Sequence, residues 1–175
     1  MQKIFVIVTL AVVLLCKCTP SNEEVGKVQG YAPIYLPAQK AHQISAGTAQ
    51  PTVHAGKIYA YNNYLFQVEE GEGIHIIDNT IPQQAAKVAF LTVPQCTEIA
   101  IRSNYLYTNN ISDLVVFNLA NITAPVLVKR LENAFPVINQ EYPPAASGYF
   151  ECPDPSKGLV VGWQLKMLEN PTCRR

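Results

Sequence analysis

At 175 residues, with 49% hydrophobic and 15% charged residues, the chain is sized for roughly one globular domain and is too apolar to remain disordered. Its 13 basic and 13 acidic residues cancel and are not clustered, so it offers no field for nucleic acid or an anionic surface.

Residues 1–18 read as a lipoprotein-type signal peptide. Lys3 supplies a positive start, and residues 4–15 form an uncharged run of 12. A bilayer span needs about 20 apolar residues, so this run suits a signal core instead. Cys16-Lys17-Cys18 follows, and then the polar tract Thr19-Pro20-Ser21-Asn22-Glu23-Glu24. An apolar run ending in Cys resembles a bacterial lipoprotein signal, whose cysteine is acylated and becomes the new N-terminus. Leu15 before Cys16 is larger than the usual small residue, and Lys17 before Cys18 departs further. Cys16 is therefore the favoured lipidation site and Cys18 the alternative. The other readings are an ordinary cleaved signal or a plain membrane anchor. Acyl chains contribute about 0.8 kcal/mol per buried CH₂, so several would hold the protein on a membrane. The expected address is the bacterial cell envelope, as an outer membrane lipoprotein.

Export places Cys96, Cys152 and Cys173 where thiols can pair. Cys152 and Cys173 bracket a hairpin-like segment, and a bridge closing that ~20-residue loop would contribute about 3 kcal/mol. Cys96, in the turn Pro94-Gln95-Cys96, is the odd one.

Residues 19–52 are rich in Pro, Ala, Gln, Ser and Gly and read as a tether. One piece, Tyr31-Ala32-Pro33-Ile34-Tyr35-Leu36, has strand composition, and its proline places it at a sheet edge.

Residues 53–135 contain a repeat. Asn63-Tyr64-Leu65-Phe66 recurs further along as Asn104-Tyr105-Leu106-Tyr107. The apolar runs Ile74-His75-Ile76-Ile77-Asp78 and Leu114-Val115-Val116-Phe117-Asn118 follow them with nearly the same offset. The first copy holds strand patterns at 57–61, 64–68, 73–78 and 87–93, the second at 97–102, 105–109, 114–119 and 125–131. Four short strands per unit of about 40 residues are the signature of a β-propeller blade. Asn62-Asn63 and Ser103-Asn104 supply the tight turns, since Asn tolerates positive φ, and Gly71 and Gly73 serve the next one. The third strand of each copy is apolar at successive positions, so both of its faces must be covered. Neighbouring blades would do that.

These third strands, with the preceding Asn-x-Leu-aromatic element, resemble the LVIVD repeat of bacterial β-propeller proteins. The stretch from Cys152-Pro153-Asp154-Pro155 through Val160-Val161-Gly162-Trp163 to Cys173-Arg174 is similar to a segment of lipoproteins in that family. The resemblance implies an all-β fold of antiparallel four-stranded blades on a cell envelope, and it implies no known reaction. Family members carry enough repeats to close a ring, usually 4–8 blades, whereas two are visible here. An incomplete propeller, with residues 136–175 as a C-terminal β-hairpin, is the expected architecture. A fragment, a truncated product or a homo-oligomer would account for the missing blades, and a two-sheet sandwich is the other arrangement.

Few constellations suggest chemistry. Glu69-Glu70-Gly71-Glu72 gathers carboxylates that calcium would accept, yet a calcium-loop pattern is missing and a solvated turn is expected. His75 lies within an apolar strand, and His42 and His54 lie in or near the tether; their spacing fits no metal site. No serine has a recognisable base partner, and the sequence suggests no catalytic residue, metal or cofactor. Tyr59, Tyr61, Tyr64, Tyr105 and Tyr107 would serve either blade cores or an aromatic platform for sugars or peptides. Asn110-Ile111-Ser112 and Asn121-Ile122-Thr123 match a glycosylation pattern that a bacterial address makes accidental. The expected role is a binding module for a protein or glycan partner. The alternatives are a glycan- or peptide-processing enzyme using Glu69, Glu70 or Asp113, and a fragment without activity.

Overall fold

The computed structural model describes residues 25–136, 141–145 and 147–175, so Cys16 and Cys18 lie outside the described residues. Within that range thirteen strands form three sheets, none of which closes on itself. The chain is all-β, as the sequence suggests, and most neighbouring strands run antiparallel.

The first repeat folds as a meander of β3 (Ala55–Tyr61), β4 (Tyr64–Glu69), β5 (Gly73–Asp78) and β6 (Ala86–Thr92). The second is β7 (Ile99–Arg102), β8 (Tyr105–Asn110), β9 (Asp113–Asn118) and β10 (Val126–Leu131). Tight turns join the first two strands of each, with Asn62 at φ 52° and Ser103 and Asn104 at 49° and 66°. At the next turn Gly71 takes φ 81°, and its counterpart in the second repeat is Ile111 at φ 58°. Gly73 is needed for space instead. A Cβ there would lie 2.2 Å from the backbone oxygen of Leu91 on the neighbouring strand.

Register carries the repeat into three dimensions. Tyr59, Phe66, Ile76 and Ala89 stand opposite one another across the first sheet. Their counterparts one repeat later, Ala100, Tyr107, Val116 and Lys129, do so across the second. Directly opposed residues share a face, so equivalent residues occupy equivalent faces. One face of each meander enters a common core. The first sheet contributes Phe66, Val68, Ile74, Ile76, Ala89 and Leu91, and the second contributes Ile101, Leu106, Val115 and Phe117. Full burial of each large side chain is worth about 1.5–3 kcal/mol.

The third sheet joins the two ends of the described chain. β1 (Lys27–Leu36) pairs antiparallel with β12 (Leu159–Glu169) along its whole length. On its other side it meets β11 (Tyr149–Phe150) in parallel at Gly30 and Tyr31, and β11 pairs with β13 (Cys173–Arg174). The order is β12-β1-β11-β13, so the C-terminal strands are not a hairpin. The N-terminal strand separates them, because ten residues of β1 offer β12 a longer ladder than the two-residue β13 does. Gly30 permits the parallel contact, since a Cβ would lie 2.4 Å from the backbone oxygen of Tyr149.

Residues 25–52, expected as a tether with one edge strand, take part in the fold. β1 is paired on both sides at Gly30 and Tyr31, while Pro33 sits where only β12 is its partner. A single helical turn, α1 (Ala38–Ala41), follows, and β2 (Ser45–Gly47) then adds a fifth strand beside β6.

Candidate functional site

Buried polar side chains gather where β4 turns into β5 and where β8 turns into β9. In the first sheet Glu69 ends β4, and His75 lies two residues beyond Gly73, its opposite number on β5. Diagonal neighbours of this kind share a face. That face is turned away from the second repeat, since it continues through Gln67 and Phe90. Glu69 is 4% exposed and His75 0%. The Glu69 Oε2 to His75 Nε2 distance is 2.8 Å, and the Phe90 ring lies 4.8 Å from the imidazole.

Residues 50–54 cross this face as a strap. The Val53 N–H donates to Glu69 Oε1 at 2.9 Å, and the His54 N–H donates to the same oxygen. Lys87 Nζ donates to the Gln50 carbonyl and to Thr52 Oγ1. Burial alone would raise the Glu69 carboxyl. The donors from His54, His75 and Val53 outweigh it and hold the group below the ordinary glutamate value. The expectation of a solvated acidic turn therefore fails at Glu69, whereas Glu70 and Glu72 in the same turn are exposed.

Thr52 Oγ1 lies 3.4 Å from His75 Nε2. Threonine, histidine and glutamate thus meet, but both oxygens address the same ring nitrogen, and Nδ1 is buried without a hydrogen-bond partner. A nucleophile relay needs the hydroxyl on one nitrogen and the acid on the other. This trio instead fastens the strap.

The equivalent place in the second repeat carries a different network. Asn110, the counterpart of Glu69 at the end of β8, is fully buried. Its Nδ2 donates to the Ala41 and Pro94 carbonyls at 2.9 and 2.8 Å, and its Oδ1 accepts from Arg130 at 2.9 Å. The glycosylation pattern at Asn110 is therefore internal. Arg130 also donates to Asp113 Oδ2 at 2.5 Å, and the Asn133 N–H donates to Asp113 Oδ1 at 3.0 Å. Burial favours the neutral form of Asp113, but Asn133, Arg130 and the nearby His42 together depress its pKa. Beside this network opens a recess of about 480 Å³ lined by His42, Ser112, Asp113, Arg130, Glu132 and Asn133. Nothing in the sequence joins His42 to Arg130. They lie 88 residues apart, and only α1, tied to Asn110, brings them within 3.3 Å.

The tyrosines do not form one platform. Tyr59 and Tyr61 reach the second repeat, through the Ile101 carbonyl and the Asn104 N–H, while Tyr105 and Tyr107 lie on the opposite side of that repeat. Cys152 and Cys173 form a disulfide. Cys96 is free and buried, its thiol pKa pushed up to about 12 by burial. Among the described residues no group of three His, Cys, Asp or Glu side chains converges as a metal site, and no helix is long and apolar enough to cross a membrane. No family model, curated protein or solved structure matches this chain.

Proposed function

We propose that this chain is an exported, lipid-anchored binding module of the bacterial cell envelope, built from two LVIVD-like β-propeller blades, and that it works by contact. What carries the reading is where the polar groups lie. The best acid–base pair, Glu69 and His75, is sealed at 4% and 0% exposure, out of a substrate's reach. The groups that reach solvent line the recess beside Arg130, where the exposed His42, Glu132 and Asn133 surround a guanidinium that Asn110 and Asp113 hold from beneath. Such a surface suits a peptide or a glycan. The disulfide between Cys152 and Cys173 fits an oxidising compartment, and the matching register of the two meanders supports the blade reading.

Two measurements test it. The full chain should fractionate with membranes and incorporate palmitate, and Cys16→Ser should abolish both; label that persists moves the anchor to Cys18. A wild-type chain found unlabelled in the cytosol would overturn the address. For the contact surface, a photoreactive residue replacing Glu132, exposed at the recess, should give a discrete adduct in intact cells. The same residue replacing the exposed Gln83 should not, and equal labelling at both positions would remove the binding reading.

A further inference from the structure

The chain enters the described fold at one corner of the terminal sheet, and it is clasped there. Just ahead of β1 the Gly26 N–H donates to Asn170 Oδ1 at 2.8 Å, and the Asn170 N–H, just past β12, donates back to the Gly26 carbonyl at 2.9 Å. Even fully extended, residues 16–25 span no more than about 35 Å. With an acyl chain on Cys16, the corner where β12 ends therefore stays close to the bilayer. A tether this short also makes any second contact with the lipid an intramolecular one, so a small apolar strip is enough to hold it.

Such a strip lies at that corner. Met167 stands opposite Gln29 and Leu165 opposite Tyr31, while Phe150 meets Tyr31 from the other side. Opposed residues share a face, as do residues two apart on a strand, so Trp163, Leu165 and Met167 lie on one face with Phe150. Leu165 is 54% exposed and Met167 62%. Gln164 and Lys166 between them take the other face, where Lys166 pairs with Glu151 at 2.9 Å. The exposed part of β12 is thus sorted, apolar on one side and polar on the other. Aromatic rings border the apolar side. Phe150 sits edge-on to Trp163 at 5.6 Å and to Tyr142 at 6.3 Å, and Tyr142 is exposed beneath Arg175, 5.4 Å from its ring. Lys27 ends the same face opposite Glu169. Amphipathic Trp and Tyr rings settle at headgroup level, and Lys and Arg at the rim meet anionic headgroups.

We propose that this face of the terminal sheet, with Leu165 and Met167 at its centre, lies against the lipid surface beside the anchor. The proposal rests on the lipid-anchor reading and deepens it. An anchor alone leaves the chain free to turn on its tether, whereas a second contact at the clasped corner fixes how it stands on the membrane.

Trp163 is the only tryptophan of the chain and shares the face with Leu165, so its fluorescence reports the contact. The full chain, reconstituted into vesicles of phosphatidylethanolamine and phosphatidylglycerol, should float with them. Lipids brominated near the top of their acyl chains should then quench Trp163. The double variant Leu165→Asp, Met167→Asp should still float and lose the quenching. Should that variant fail to fold, a photoreactive residue replacing the exposed Met167 decides the matter. It should form a lipid adduct, and the same residue replacing Ile58 on β3, 59% exposed, should not. A wild-type chain that does not float overturns the anchor reading and this contact with it. A chain that floats with Trp163 unquenched overturns the contact alone, as does quenching that survives both substitutions or equal lipid labelling at 58 and 167. An adduct of twice the chain mass at position 167 also overturns it and gives the face to a second copy.

Discussion

Glu69 Oε2 lies 2.8 Å from His75 Nε2 inside the first repeat, while its other carboxylate oxygen takes the N–H groups of Val53 and His54. One side chain therefore connects β4, β5 and the strap. Removing a buried carboxylate that the Val53 and His54 N–H groups and the His75 ring address costs at least about 1–3 kcal/mol, because buried polar groups are left without a partner. Glu69→Ala should lower the unfolding free energy in urea by about that much. Glu69→Gln keeps an acceptor for the strap and should lose clearly less. Equal losses would show that the charge, and not the hydrogen-bond geometry, holds the strap.

The same residue sets a pH dependence. Glu69 and Asp113 both titrate below their ordinary values in the folded chain. A depressed carboxyl pKa means the folded state favours the carboxylate. Its stabilisation is complete above the unfolded value, about 4, and is lost as pH falls through the folded value. The melting temperature should be flat on the basic side of about pH 5 and fall below about pH 4. Glu69→Gln should shallow that fall, and a wild-type curve that stays flat down to about pH 3 would refute the shared contribution.

The Cys152–Cys173 disulfide closes a loop with a sequence separation of 21 in the sheet that also holds β1. A loop of this length contributes about 3 kcal/mol by restricting the unfolded chain. Reduction should speed amide exchange in β1 and β12 and leave β4, β5, β8 and β9 protected. Cys96, buried and with its thiol raised to about 12, should resist thiol reagents until the two meanders unfold. Rapid reaction of Cys96 in the native chain would contradict its packing.

Ile111 occupies the left-handed position that Gly71 takes in the first repeat. A β-branched residue there carries strain of about 1–3 kcal/mol. Ile111→Gly should relieve it and raise stability by about 1 kcal/mol, read from urea unfolding. A loss of stability instead would mean that the half-buried Ile111 side chain gains more from its burial than its backbone conformation costs.

Local patterns carried far into this fold. Strand after strand in residues 53–135 lies close to where alternation, apolar runs and Asn or Gly turns place it, because those signals act over a few neighbours. The buried carboxylate was not legible in this way. Glu69-Glu70-Gly71-Glu72 reads as a uniformly polar turn, yet Glu69 ends β4 and is buried on the outer face of the first sheet by the strap. The recess was equally hidden, since its lining comes from the end of α1, the β8–β9 turn and the end of β10.

Residues alone determined that the folded part of this chain is all-β, that its middle carries two matching units, and that its third strands need cover on both sides. Those properties follow from side-chain type and short-range spacing. Only the tertiary structure decided that β1 divides β11 from β12, that the strap closes one sheet face, and that Asn110 and Glu69 are buried. Each of these depends on which distant segment wins a given ladder or hydrogen bond, a competition between long-range partners that no local period records.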